Sequence, residues 1–219
     1  MSKTKKKALI VHGGWEGHEP KQISGILADR LRGSGFEVQM SDSLDSYLDP
    51  SLGENSLIVQ HVTMATIAKP QLQGLLAAVR GGVGLAGLHG GLCDSFRLET
   101  EYQFMCGGQW VAHPGNIIDY TVDVMDPTDP IMAGIGTFRM RSEQYYMHVD
   151  PSNHVLATTT FTGEHGNADW IAGCVMPVAW KRTYGQGRVF YSSLGHVAKD
   201  LETPEALTII TRGMLWAAR

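Results

Sequence analysis

The chain has 219 residues, 43% of them hydrophobic and 18% charged, with a formal net charge of −4. That length can bury a large core, the composition argues against disorder, and the acidic balance argues against nucleic acid as a partner. No stretch approaches the ~20 apolar residues of a membrane span, so no membrane partner is expected. The three cysteines, Cys93, Cys106 and Cys174, are odd in number and contain no C-x-x-C pair. This argues against a disulfide framework and for a reducing, cytoplasmic setting. The one basic cluster is Lys3, Lys5, Lys6 and Lys7. Residues 1–6 read as a solvated, disordered tail, because the apolar run 8–11 that follows is too short for a secretory segment.

Residues 7–11 read as a fully buried first strand, a short apolar run without alternation. The loop His12-Gly13-Gly14-Trp15-Glu16-Gly17-His18-Glu19 follows. Pro20 suits the first turn of a helix in which Ile23, Ile26, Leu27 and Leu31 recur at helical spacing, and Gly33 and Gly35 stop it. Residues 36–40 form a second predicted strand and 57–60 a third. Pro70 opens another helix, with Leu72, Leu75, Leu76 and Val79 on one face and Gly81 at its end; residues 83–88 are the fourth strand. This order predicts an α/β fold with an open, mostly parallel sheet flanked by helices. The second half reads differently. Ile118, Tyr120, Val122 and Val124 alternate with Asp119, Thr121 and Asp123, the pattern of a half-exposed antiparallel strand. Residues 155–159 form another strand, 178–181 and 188–192 a hairpin around Tyr184-Gly185-Gln186-Gly187, and 204–218 a closing helix. No linker or internal repeat interrupts the chain, so one domain over 1–219 is expected.

Parallel α/β sheets bind ligands beyond the carboxyl ends of their strands. Those ends carry His12, Trp15, His18 and Glu19 after the first strand, His61 after the third, His89 after the fourth and His196 after the last. Titratable groups collected at one edge mark a site more often than a lone histidine does. Gly87-Leu88-His89-Gly90-Gly91 resembles a nucleophile elbow, where small residues permit a sharp strand-to-helix turn. His89 stands where a hydrolase or glutaminase would place Ser or Cys, and Cys93 lies four residues beyond, so glutaminase chemistry is not expected. A plain structural turn, with His89 merely packed, remains open. The Gly-rich loop 13–17 matches neither the dinucleotide nor the P-loop pattern. A third group comprises His113, Arg141, Glu143, Tyr145, Tyr146 and His148. Glu143, Tyr145 and Arg141 share a face if the backbone is extended, and such residues either move protons or grip sugar hydroxyls, with Trp15 or Trp110 stacking on a sugar face. Cofactor identity stays open. A divalent metal would draw its ligands from His12, His18, His89, His113, Glu143, His148 and His196.

The chain resembles the ThuA-like (trehalose-utilisation) family of the class I glutamine amidotransferase-like superfamily. The segments that carry the resemblance are 8–14, 82–91, 107–114, 129–131 leading to Glu143-Gln144-Tyr145, and 177–180 followed by the run from Tyr184 to His196. The resemblance implies a flavodoxin-like core without an elbow cysteine, and a role in the use of trehalose and related, often oxidised, sugars. In that superfamily the histidine after a late strand partners the elbow nucleophile, a place similar to that of His196.

The combined reading is an enzyme that performs acid–base chemistry, isomerisation or elimination, on a sugar or keto-sugar. His89, His196 and Glu143 are the expected catalytic residues, sharing one pocket. His12, Trp15, His18, His113, Tyr145 and His148 are the expected substrate contacts. The partner is a small-molecule carbohydrate, and homo-oligomerisation stays open. Two alternatives remain: a non-catalytic carbohydrate-binding or regulatory module, and a hydrolase of another class, with or without metal assistance.

Overall fold

The computed structural model describes residues 5–219; of the expected tail, residues 1–4 lie outside the described residues. Among the described residues eleven strands are formed: β1 (Lys7–Gly14), β2 (Glu37–Ser41), β3 (Leu57–Thr63), β4 (Gly84–Leu88), β5 (Gly108–Ala112), β6 (Ile117–Val124), β7 (Phe138–Glu143), β8 (Tyr146–Val149), β9 (His154–Thr160), β10 (Val175–Tyr184) and β11 (Gly187–Ser192). The helices are α1 (Pro20–Gly33), α2 (Lys69–Arg80), α3 (Gly90–Cys93), α4 (Thr100–Cys106) and α5 (Pro204–Ala217). Nine strands form one mixed sheet in the order β2-β1-β3-β4-β11-β10-β9-β6-β7, and β5 and β8 form a separate antiparallel pair. Strands β2, β1, β3, β4 and β11 are parallel, and β10, β9, β6 and β7 continue the sheet antiparallel. The expected parallel half with an antiparallel extension is therefore the observed architecture. Among the described residues no helix is long and apolar enough to cross a membrane.

The apolar runs become central strands because helices cover both faces. Ala8 and Ile10 of β1 face the layer of α1 and α5, where Ile23, Leu27, Leu31, Ile209 and Met214 are buried. Leu9 and Val11 face the opposite layer of α2, α3 and α4, with Leu72, Leu75, Leu92 and Met105. Further along the sheet, Ile118, Tyr120 and Val122 of β6 are buried while Asp119 is exposed, as their alternation requires. Strand β10 joins the two halves and carries register shifts between Pro177 and Trp180. Both Val178 and Ala179 thereby join one face and Trp180 the other. Five elements were not anticipated: β5, β7, β8, the short α3, and α4.

Candidate active site

Because β1, β3, β4 and β11 run parallel, their carboxyl ends meet at one edge of the sheet. The elbow after β4 is real: His89 adopts φ 47°, ψ −139°, a sparsely populated conformation for a residue with a Cβ. Three contacts hold it there. The His89 N–H donates to the Ser192 carbonyl at 2.7 Å, the Tyr191 hydroxyl donates to the His89 carbonyl at 3.1 Å, and the ring Nδ1 lies 2.7 Å from the Ser193 carbonyl. A carbonyl only accepts, so Nδ1 is the protonated nitrogen, and Nε2 is turned to Glu143 Oε2 at 3.0 Å.

Small residues let the turn close. A Cβ on Gly91 would lie 2.1 Å from His61 Nδ1 and 2.8 Å from its Cα. Gly91→Ala is therefore expected to destabilise the protein by at least about 1–3 kcal/mol, the usual cost of overpacking, read as a lower urea midpoint. An unchanged midpoint would mean that the elbow is not tightly packed.

The other members arrive from separate segments. His18 ends a short 3₁₀ turn after β1 and is buried, its Nδ1 2.9 Å from Thr63 Oγ1. Trp15 packs edge-on against it with ring centroids 4.8 Å apart. Glu143 ends β7 and is almost buried. His196 follows β11, its Nδ1 3.3 Å from Glu143 Oε2, and His113 Nε2 lies 3.6 Å from Glu143 Oε1. Burial raises the Glu143 carboxyl, but His196 and His89 beside it outweigh that and hold it well below the usual carboxylate range. Burial, together with the charges of His89 and His196, pushes His18 down to about 3.

A cavity of about 400 Å³, within the usual size range of small-molecule sites, opens over this cluster. Its walls include Trp15, His18, Trp110, His113, Glu143, Tyr145 and His196. His89 is fully buried and does not line it. The expectation that His89 and His196 face one pocket is thus corrected: His89 sits behind Glu143 and reaches the cavity through that carboxylate. His12 and His148 are also outside the wall. His12 stays within β1, in register with His61 and near Asp42, Lys21 and Glu16. His148 is exposed on β8. Arg141 is exposed and pairs with Asp119 at 2.7 Å rather than joining Glu143. Cys93 is buried, which pushes its thiol well above its ordinary value, so it offers no nucleophile.

Sequence reading missed several supporting residues. Buried Asp200 accepts from the His196 N–H at 3.0 Å and from the Ser142 hydroxyl at 2.5 Å, tying the His196 loop to the residue before Glu143. Asp94 accepts two hydrogen bonds from Arg97, at 2.5 and 2.9 Å, and the Arg97 guanidinium lies over the Trp110 ring at 4.9 Å; both residues line the cavity. An Asp followed three residues later by Arg was the only available signal.

His61 is a separate case. It is fully buried with neither ring nitrogen hydrogen-bonded, and burial, then the charges of His89 and His12, push it down to about 3. In the unfolded chain it returns to about 6.5. Between these values the unfolded state takes up a proton that the folded state refuses, so its stability contribution is full near neutrality and falls as the pH drops below about 6.5. Urea midpoints at pH 7.5 and 5.0 should show this drop before Glu143 begins to titrate. His61→Met should show a smaller drop, and an equal one would exclude His61 as the source.

A family model described as ThuA, trehalose utilisation, matches residues 7–217. The chain belongs to this family. A ThuA-like protein of Parabacteroides merdae is 18% identical with a TM-score of 0.76, covering 98% of this chain and 90% of its own. One from Bacteroides uniformis is 15% identical with a TM-score of 0.78, covering 98% and 91%. A β-galactosidase from Rahnella is 15% identical with a TM-score of 0.60; the match covers 99% of this chain but 32% of the galactosidase. At these identities the likeness concerns the fold. No curated protein matches the chain.

Proposed function

We propose that this ThuA-family chain is an enzyme that moves protons at a carbon next to the carbonyl of a trehalose-related keto-sugar, giving isomerisation or β-elimination. The observation that carries this reading is the Glu143 carboxylate, set among the imidazoles of His89, His113 and His196 on the wall of the cavity. A keto group acidifies the neighbouring C–H, and a positioned base or acid contributes about 10²–10⁴-fold. Glu143, His196 and His113 are the groups within reach of a substrate, and His89 holds Glu143 in place. Trp15 and Trp110 offer apolar faces to a sugar ring, and the Arg97–Asp94 pair offers a donor and an acceptor to its hydroxyls. The free cysteines fit a cytoplasmic setting.

The test is proton exchange. Purified protein mixed with a keto-trehalose or keto-glucoside in D₂O should incorporate deuterium next to the carbonyl, followed by NMR, at a rate that tracks product formation. Tight binding without exchange would support a binding module instead, and neither binding nor exchange would reject the sugar reading.

A further inference from the structure

We propose that His18, His89, Glu143 and His196 form a binding site for one divalent transition-metal ion of the zinc or cobalt class. Each residue offers one ligand atom, and the four atoms lie within 4.8 Å of one another. In a tetrahedral site with metal–nitrogen bonds of about 2.0–2.1 Å the donors stand about 3.3 Å apart, so closure needs small side-chain shifts. Three imidazoles and one carboxylate are the donor set that such ions prefer.

Three further observations point the same way. First, the outer contacts already orient the ligands. His89 donates its Nδ1–H to the Ser193 carbonyl at 2.7 Å, and His18 Nδ1 is engaged by Thr63 Oγ1 at 2.9 Å. In each ring Nε2 is left for the cluster, which is how metal-binding histidines are held. Second, two of the inward atoms are acceptors that face each other. With Nδ1 protonated, neutral His89 presents a lone pair on Nε2 to Glu143 Oε2 at 3.0 Å, and His196 Nδ1 stands 3.3 Å from the same oxygen without an aligned hydrogen bond. Acceptors gathered in a buried place are costly unless a cation or proton lies between them. Among the described residues no lysine or arginine pairs with Glu143: its ion-pair partners are His89, His113 and His196. Third, His18, Glu143 and His196 line the cavity, so a further coordination position would open towards a substrate, as in catalytic rather than structural sites. By contrast, the cluster of Asp126, Asp129 and His154 already has a cation, since Lys181 pairs with Asp129.

The inference stands apart from the sugar reading, because it needs only the four ligands. It does refine the roles: an ion held here would polarise a carbonyl or a bound water. Proton transfer would then fall to His113, the imidazole on the cavity wall that is outside the ligand set.

The test uses the metal alone. Chelator-stripped protein is titrated with Zn²⁺ by calorimetry and with Co²⁺ by visible absorption. One ion per chain is expected, with the intense visible bands of low-coordinate Co²⁺ and a rise in melting temperature. Glu143→Gln, which is nearly isosteric, and His196→Ala, at the cavity wall, should each weaken binding at least about 100-fold; this is a larger loss than the 10–100-fold typical of outer-shell changes. His12→Ala and His148→Ala should bind as the parent does. Absence of stoichiometric binding by the parent overturns the proposal whether or not the variants fold, as does binding that survives both ligand changes. Exchange of a keto-sugar by protein that binds no ion would reject the metal and leave the proton-transfer reading standing. Ion binding without exchange or sugar binding would do the reverse.

Discussion

Glu143→Gln is expected to lower turnover of a keto-sugar at least about 100-fold while leaving the cooperative unfolding transition in place. The side chain keeps its volume, so its packing is preserved, but the carboxylate charge is lost. In the parent that charge faces His89 Nε2 at 3.0 Å and His196 Nδ1 at 3.3 Å. Either as a proton acceptor or as a metal ligand, an amide is a much weaker group. A structural role would give the opposite pattern: lost stability with near-normal specific activity in whatever protein remains folded. His196→Ala should also cut turnover about 100-fold, and the double variant should lose less than the product of the two, because groups that act as a unit are not additive. Normal turnover in both single variants would remove this cluster from the chemistry.

Trp180→Ala is expected to cost about 3–5 kcal/mol, the range for truncating a large buried aromatic, out of a total stability of about 5–15 kcal/mol. Trp180 is fully buried on β10, the strand that joins the parallel and antiparallel halves. Its ring lies 4.4 Å from that of Tyr191 on β11, and its indole N–H donates to the Cys106 carbonyl at 3.0 Å, at the end of α4. Tyr191 in turn donates to the carbonyl of His89, so the cavity left by the indole is one residue away from the elbow. Urea unfolding measures the cost, and Trp180→Phe, which restores most of the apolar contact, should recover more than half of it. A loss below about 1 kcal/mol would mean that the neighbouring side chains collapse into the gap.

Much of this architecture was legible in the sequence because local physics and the fold agree there. Residues 8–11, 57–59 and 83–88 are short runs without a charged or polar residue, the pattern that a strand covered on both faces requires. The alternation from Ile118 to Val124 and the turn at Gly185-Gln186 likewise set period and reversal without help from distant residues. The short pieces were not legible. Strand β5 pairs only with β8, and its half-buried residues show no period; α3 spans Gly90–Cys93 and has no room for one.

The sequence by itself determined which residues arrive at the ligand edge. His18 and His89 follow strands whose parallel direction is implied by the strand–helix order, and His196 follows the last predicted strand. Tertiary structure alone decided what each of them faces. His12 lies inside β1, which runs on to Gly14, and so stays with the strand instead of joining the site loop. The stretch from Glu143 to His148 breaks at Gln144 and Tyr145, passing from β7 of the large sheet to β8 of the small one. Alternation therefore cannot carry across it, and His148 ends in solvent while Glu143 ends among the histidines. His89 lies behind that carboxylate because the elbow conformation points its ring at the Ser193 carbonyl. These outcomes depend on contacts between residues 54 to 104 positions apart, and no local periodicity encodes separations of that length.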